Sequence, residues 1–288
     1  MDRYSKLHPI LHFTFFICVF VFCVSLSNPL FSFVILLAGL VYNFILEGKN
    51  GFSSIKSVPA ILIFVSIFNF IFSHYGMTVL FTLGDTQFTF ESLFYGFYQG
   101  LVLSSMLIWF GIFSKVIDSE KVIYIFRFAP KCALIFSMVL GFLPRFKVKL
   151  ENIRSARRGL YTENENNSIK QKFSDAAKEL SALITYSLES SIVTADSMKA
   201  RNYNPKAVRY SRYKFKVFDV AMIIINLLLF SYVIYTKFSG KIAFIMNPTI
   251  YIKSFDVLSF ILFCILVFLP IIIDLAEEIR WKLSVAKN

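Results

Sequence analysis

The sequence predicts an all-α polytopic membrane protein. It has about six transmembrane helices and a cytosolic helical block between spans four and five. Two observations carry this. Apolar residues make up 57% of the 288 and charged residues only 17%, against about 45–50% and ~25% in soluble domains. The apolar residues also fall into six long runs, with most of the basic residues gathered in one block between them. Mean hydropathy is +0.65. With 11 Gly and 8 Pro in this apolar background, collagen-like and disordered chains are excluded.

A spanning helix needs ~20 apolar residues. The runs lie at about 9–27, 29–46, 58–75, 91–115, 217–236 and 254–275. The first follows Arg3 and Lys6, as a signal peptide would. It is longer than the usual h-region of ~7–15 residues and no A-x-A site follows, so an uncleaved first helix is expected. Pro9 suits its first turn, where a missing N–H costs nothing. Ser27, Asn28 and Pro29 mark a tight turn into the second span.

Orientation follows from Lys and Arg. With six spans, 27 of the 30 fall on one side, and 20 of these lie in residues 115–216. Only Lys237, Lys241 and Lys253 fall on the other. Both termini and residues 116–216 are therefore expected in the cytoplasm. The domain reading is 1–115 (four spans), 116–216 (cytosolic or interfacial block) and 217–288 (two spans and a tail). Acidic residues such as Glu151, Asp175, Glu179 and Glu189 are interleaved with the basic ones. No nucleic-acid motif accompanies them, so nucleic acid is not expected as a partner.

Within the block, Asp118 suits the N-cap of a short helix to about Ala129, where Pro130 intervenes. The run 132–143 is too short to span and reads as a buried or interfacial helix. Pro144 fits the start of a further helix, with Phe146, Leu150, Ile153 and Ala156 at helical spacing. That helix is expected to close at Gly159, a residue suited to the left-handed terminal position. A polar loop, 162–167, follows. A long helix then runs from about Ser168 to Arg201. Its stripe is Ile169, Phe173, Ala176, Leu180, Ile184, Leu188, Ser191, Ala195 and Met198. Asn202 suits a left-handed cap and Pro205 forbids continuation.

These residues carry a family pattern. The stretch Ser155-Ala-Arg-Arg-Gly159 and the stretch Ala195-Asp-Ser-Met-Lys-Ala-Arg-Asn-Tyr203 resemble two Ala-Arg-Gly motifs. Those motifs belong to the transmembrane T component of energy-coupling factor (ECF) transporters, where each ends a cytosolic coupling helix. Gly141-Phe-Leu-Pro-Arg-Phe146 is similar to that family's lead into the first coupling helix, and Leu7-His-Pro-Ile-Leu-His12 to its N-terminal segment. In this chain Arg157 stands where the family usually has alanine, Asn202 replaces glycine and His12 replaces lysine. A family arginine of the fourth span is absent from Gly100-Leu-Val-Leu103.

The resemblance implies a non-enzymatic coupling subunit in the cell membrane of a bacterium or archaeon. It implies partners: two ABC-type ATPases, a small membrane subunit that binds the substrate, and membrane lipid. ATP and Mg would sit in the ATPases, leaving no cofactor in this chain. The docking residues it implies are Ala156, Arg157, Arg158 and Gly159 at one motif and Ala200, Arg201 and Asn202 at the other. Which of Arg157 and Arg158 docks stays open. Arginine suits the task because its fork of five donors grips a carboxylate bidentately. The same arginines also complement the negative C-terminal ends of their helices.

Other readings remain. The basic block could bind anionic lipid or nucleic acid, or the chain could be a self-contained carrier. The spans hold few ionisable groups (Asp219, Asp256 and Asp274 lie near span ends), which disfavours an ion-coupled carrier. Gly48-Lys49-Asn50 is not a phosphate-binding loop, so ATP hydrolysis by this chain is not expected. His8 and His12 stand one helical turn apart, but two ligands without a carboxylate make a poor metal site. Cys18, Cys23, Cys132 and Cys264 form no paired motif.

Overall fold

Proline and short polar caps set the first two helices in the computed structural model. It describes residues 4, 7–48, 52–73, 76–83, 86–125, 130–160, 169–203, 213, 215–245 and 250–285. Helix α1 (Pro9–Ser25) begins with Pro9 in its first turn, and His8 Nδ1 accepts the Ile10 N–H at 3.3 Å. Helix α2 (Pro29–Glu47) repeats the device, with Asn28 Oδ1 accepting the Leu30 N–H at 3.1 Å. Both satisfy N–H groups that a helix start leaves without intrahelical partners. Helices α3 (Phe52–Phe72), α4 (Phe90–Val116), α5 (Ser119–Ile125), α6 (Pro130–Leu160), α7 (Ile169–Ala200), α8 (Val217–Phe238) and α9 (Val257–Val285) follow.

Contacts divide the chain into two units: Met1–Asp118 with Tyr213–Asn288, and Ser119–Arg212. In the first unit α4 packs against α1, α2 and α3, while α8 lies on α1 and α9, and α9 on α2. Trp109 of α4 is fully buried and donates its indole N–H to the Ile35 carbonyl at 3.0 Å. Phe15, Phe16 and Tyr42 surround its ring. A second aromatic cluster, Phe22, Phe31 and Phe263, joins α1, α2 and α9. Apolar side chains such as Ile17, Phe64, Phe68, Phe110 and Leu228 point outward.

Among the described residues, four helices are long and apolar enough to cross a membrane: Pro29–Glu47, Phe90–Val116, Val217–Phe238 and Val257–Ala276. Two further apolar helices, Pro9–Ser25 and Val58–Phe72, are shorter. All six coincide with the runs read from hydropathy.

The closest helix pair is α3 with α4, and small residues make it so. A Cβ on Gly96 would stand 2.9 Å from Ser66 Cα, and one on Gly100 would stand 3.1 Å from Leu62 Cα. Gly96, Gly100 and Ser104 recur every four residues, the small-residue row that lets helix backbones approach in membranes.

The N-terminal segment is strapped to the far end of the chain. Tyr4 donates its backbone N–H to Asp274 Oδ1 at 2.9 Å. The His12 ring lies between the carbonyl oxygens of Tyr4 and His8. Asp219, in the first turn of α8, accepts the Lys216 N–H at 3.1 Å. Asp256 accepts from the Ser259 backbone at the start of α9. Asp219 and Asp256 therefore cap helix starts, whereas Asp274 anchors the N-terminal strap.

Two loops expected without regular structure form antiparallel hairpins. They are β1 (Val79–Leu83) with β2 (Thr86–Thr89), and β3 (Ala243–Ile245) with β4 (Tyr251–Ser254). The chain is thus mostly, not purely, helical. Aromatic contacts among Phe70, Phe81 and Phe88 hold the first hairpin to α3. Glu91, buried at the start of α4, accepts the Thr78 N–H at 3.2 Å.

The second unit corrects two expectations. Pro144 does not start a helix, because α6 runs unbroken from Pro130 to Leu160 with Pro144 inside it. Proline removes one rung of the ladder and crowds the carbonyl four residues back. The Phe142 and Phe146 rings stack across that turn at 5.7 Å, and good helix formers flank it. Residues 132–143 are accordingly the first half of α6 and not a separate helix. Gly159 also differs from expectation. It lies within α6 and is absent from the positive-φ glycines Gly48, Gly76 and Gly240. The short helix after Asp118 is present as α5. Its expected end, the loop 162–167, Ser168 and Pro205 lie outside the described residues.

Candidate functional site

Helices α6 and α7 form an antiparallel hairpin held by polar contacts. Lys149 Nζ lies 4.6 Å from the centroid of the Tyr186 ring. Arg154 Nε is 2.9 Å from Glu179 Oε2. Arg157 makes three contacts: Nη2 to Asp175 Oδ2 at 2.9 Å, Nη1 to Glu179 Oε1 at 3.2 Å, and Nη1 donating to the Asp175 carbonyl at 2.8 Å. The spacing explains the ladder. Arg154 and Arg157 stand one turn apart on α6, and Asp175 and Glu179 one turn apart on α7, so both pairs meet across the interface.

The face of α7 turned toward α6 carries Asp175, Glu179, Leu183, Tyr186 and Thr194, all half-buried. The apolar stripe read from the sequence points elsewhere. Ile169, Phe173, Leu180, Ile184 and Leu188 are exposed, and no described residue of α7 is fully buried. The α6 residues Ile135, Val139 and Leu143 are exposed as well. This unit therefore buries a polar seam and presents its apolar faces outward, the reverse of the usual amphipathic arrangement.

The two arginine-bearing segments are not brought together. Ala156, Arg158 and Gly159 are exposed near the C-terminal end of α6, and Arg157 is half-buried there. This end of α6 faces the N-terminal part of α7. Ala200 closes α7 at the opposite end of the hairpin, with Arg201 exposed beyond it. At ~1.5 Å per residue, Arg201 is about 40 Å along α7 from the level of Asp175.

The second end has a complete cap. Asn202 has φ 50°, the left-handed conformation read for it from the sequence. The Asn202 N–H donates to the Lys199 carbonyl at 2.9 Å and the Tyr203 N–H to the Met198 carbonyl at 3.0 Å. These are the paired bonds of the Schellman motif, which satisfies carbonyls that a helix end leaves open. The cap fixes the direction in which the chain leaves α7 and holds Arg201 on a rigid terminus.

Sequence reasoning missed the pairing of Arg154 and Arg157 with Asp175 and Glu179. Their signal was the matched spacing of two bases on one helix and two acids on the next. Among the described residues, no group of three or more His, Cys, Asp or Glu is placed to hold a metal ion. No protein-family model matches the chain, and no curated protein matches it.

Proposed function

We propose that the chain is the transmembrane coupling (T) subunit of an ECF-type ABC importer, serving uptake of a vitamin or metal ion. It sits in a bacterial or archaeal cell membrane through six spans, with both termini and residues 116–216 in the cytoplasm. Two ATPases dock on the α6–α7 hairpin. A small membrane subunit holds the substrate, and ATP and Mg stay with the ATPases.

The observation that carries this reading is the placement of the two motif ends at opposite ends of one helical hairpin. Two docking points about 40 Å apart suit two partners better than one pocket. Arg157 is half-buried against Asp175 and Glu179, and the docking role in the first motif is assigned to Arg158, which is exposed at the same end of α6. Arg201 takes it in the second, on a capped helix end. The outward stripe of α7 from Phe173 to Leu188 is apolar surface for the substrate-binding subunit.

The test is co-purification from native membranes with Arg158→Ala and Arg201→Ala combined. Truncating a buried interfacial arginine costs ~2 kcal/mol or more, about 30-fold in affinity for each site. The double variant should insert normally, lose both ATPases and lose uptake. Unchanged ATPase recovery and uptake would refute the reading.

A further inference from the structure

A cavity of about 270 Å³ lies between α2, α3 and α4. It is independent of the hairpin and of the coupling role. Asn43, Val58, Ser104, Leu107, Gly111 and Lys115 are among its lining residues. Two of these are polar and almost completely buried: Asn43 is 2% exposed and Ser104 1%. Asn43 Nδ2 and Ser104 Oγ have no hydrogen-bond partner. A buried donor left unmet is rare and needs an explanation.

One end of the cavity is charged but balanced. Lys115 Nζ stands 2.7 Å from Glu47 Oε1 and 3.1 Å from Asn43 Oδ1. Its stem leans toward the start of α4, as helical side chains do, and so reaches into the cavity. The middle is apolar. Of the apolar lining residues Leu107 is 52% exposed, with Leu103 and Phe110 exposed beside it on α4. α4 is long and apolar enough to cross a membrane. The mouth therefore opens sideways onto apolar surface, where the occupant within reach is a lipid.

The polar groups choose its head. Lys115 and Asn43 Nδ2 are donors and suit phosphate oxygens. Glu47 is not itself a lining residue, but it stands against Lys115 at this end, where it is an acceptor suited to a cation that carries N–H groups. A purely anionic head would place its charge against Glu47 with nothing to balance it. A quaternary ammonium has no N–H to give. A volume of about nine waters admits a headgroup and glycerol, while the acyl chains leave past Leu107. Ser104, deeper in, is then placed to donate to an ester carbonyl.

We propose that this cavity binds a phosphoethanolamine-headed phospholipid, with the phosphate on Lys115 and Asn43 and the ammonium on Glu47.

The full chain, purified in mild detergent, is given equal amounts of phosphatidylethanolamine, phosphatidylcholine and phosphatidylglycerol. Lipid retained through size-exclusion chromatography is counted by mass spectrometry. Phosphatidylethanolamine should be retained at about one per chain and the other two ~10-fold less, the effect of one charge-assisted bond. Gly111→Leu should reduce retention ~10-fold by filling the space. A Cβ at Gly111 meets no atom within 4 Å, so the leucine enters open volume. Ser104→Ala keeps the shape and should reduce retention about 3-fold, a neutral hydrogen bond's share, which tests the site even if Gly111→Leu misfolds. Glu47→Gln should erase the preference over phosphatidylcholine. Equal retention of the three lipids overturns the proposal, as does retention that neither Gly111→Leu nor Ser104→Ala alters. Binding of soluble phosphoethanolamine as tightly as of phosphatidylethanolamine also overturns it, because the acyl chains would then contribute nothing.

Discussion

Arg157 on α6 and Asp175 on α7 are joined twice, by an ion pair of 2.9 Å and by a hydrogen bond of 2.8 Å from the same guanidinium to the Asp175 carbonyl. The neighbouring Arg158 is exposed. The two adjacent arginines differ in burial, and substitution should separate them if Arg158 is the one that docks. Arg157→Ala should weaken the hairpin by about 1–2 kcal/mol, somewhat more than an exposed ion pair contributes. Faster limited proteolysis of α7 reads this directly. Arg158→Ala should raise the proteolysis rate less than Arg157→Ala does while lowering ATPase recovery. If Arg158→Ala loosens the hairpin as much as Arg157→Ala, the division of labour is wrong.

Asn202 offers a graded test of the α7 cap. Replacing it with valine puts a β-branched residue at φ 50° and should cost about 1–2 kcal/mol. Replacing it with glycine should hold or improve stability by a few tenths of a kcal/mol. Amide exchange in the last turn of α7 should rise with Asn202→Val and not with Asn202→Gly.

The α3–α4 contact depends on hydrogen atoms in place of side chains. A leucine at Gly96 must displace Ser66 and Asn69, whose atoms lie within 2.9 Å of its first carbon. Overpacking of this kind costs about 1–3 kcal/mol. Gly96→Leu should lower the detergent melting temperature and the monodisperse yield. Gly141→Leu, where a Cβ meets nothing within 4 Å, should do neither.

Burial holds the His8 imidazole below its usual pKa, while Asp219 pulls the other way. His8 Nδ1 must stay unprotonated to accept the Ile10 N–H. A base whose folded pKa is depressed supports the fold fully above its unfolded value, about 6.5. That support is lost as pH falls from there toward the folded pKa, because the unfolded chain takes up the proton first. Melting temperature should therefore fall as pH drops below about 6.5. His8→Asn keeps an N-cap acceptor and has no proton to gain, so it should flatten that part of the profile. An equal fall in His8→Asn would place the titration elsewhere.

The membrane helices were legible because hydropathy averages over some 20 residues and survives local errors. The starts of α1 and α2 were legible from Pro9 and from Ser27-Asn28-Pro29, whereas the side-chain caps from His8 and Asn28 were not read. The first hairpin was missed although Gly84-Asp85 separates two β-prone runs, a recognised turn signal. Pro144 misled because a proline looks like a boundary in one dimension. The stacking of Phe142 on Phe146 that carries the helix past it is visible only in three. The row Gly96, Gly100 and Ser104 was readable and was not read. The partners of Arg157 left a trace in the matched spacing of Arg154 and Arg157 with Asp175 and Glu179, but the register that joins the two pairs is set by packing.

Because α6 is a single rod with one rung missing at Pro144, it is not mechanically uniform. A helix resists stretching and twisting through its ladder of hydrogen bonds, and the turn that lacks one is its softest. Load applied at the arginine end and felt at the Pro130 end is concentrated there as bending. The helix thus behaves as two stiff levers with a compliant joint between them, placed near its midpoint by one residue.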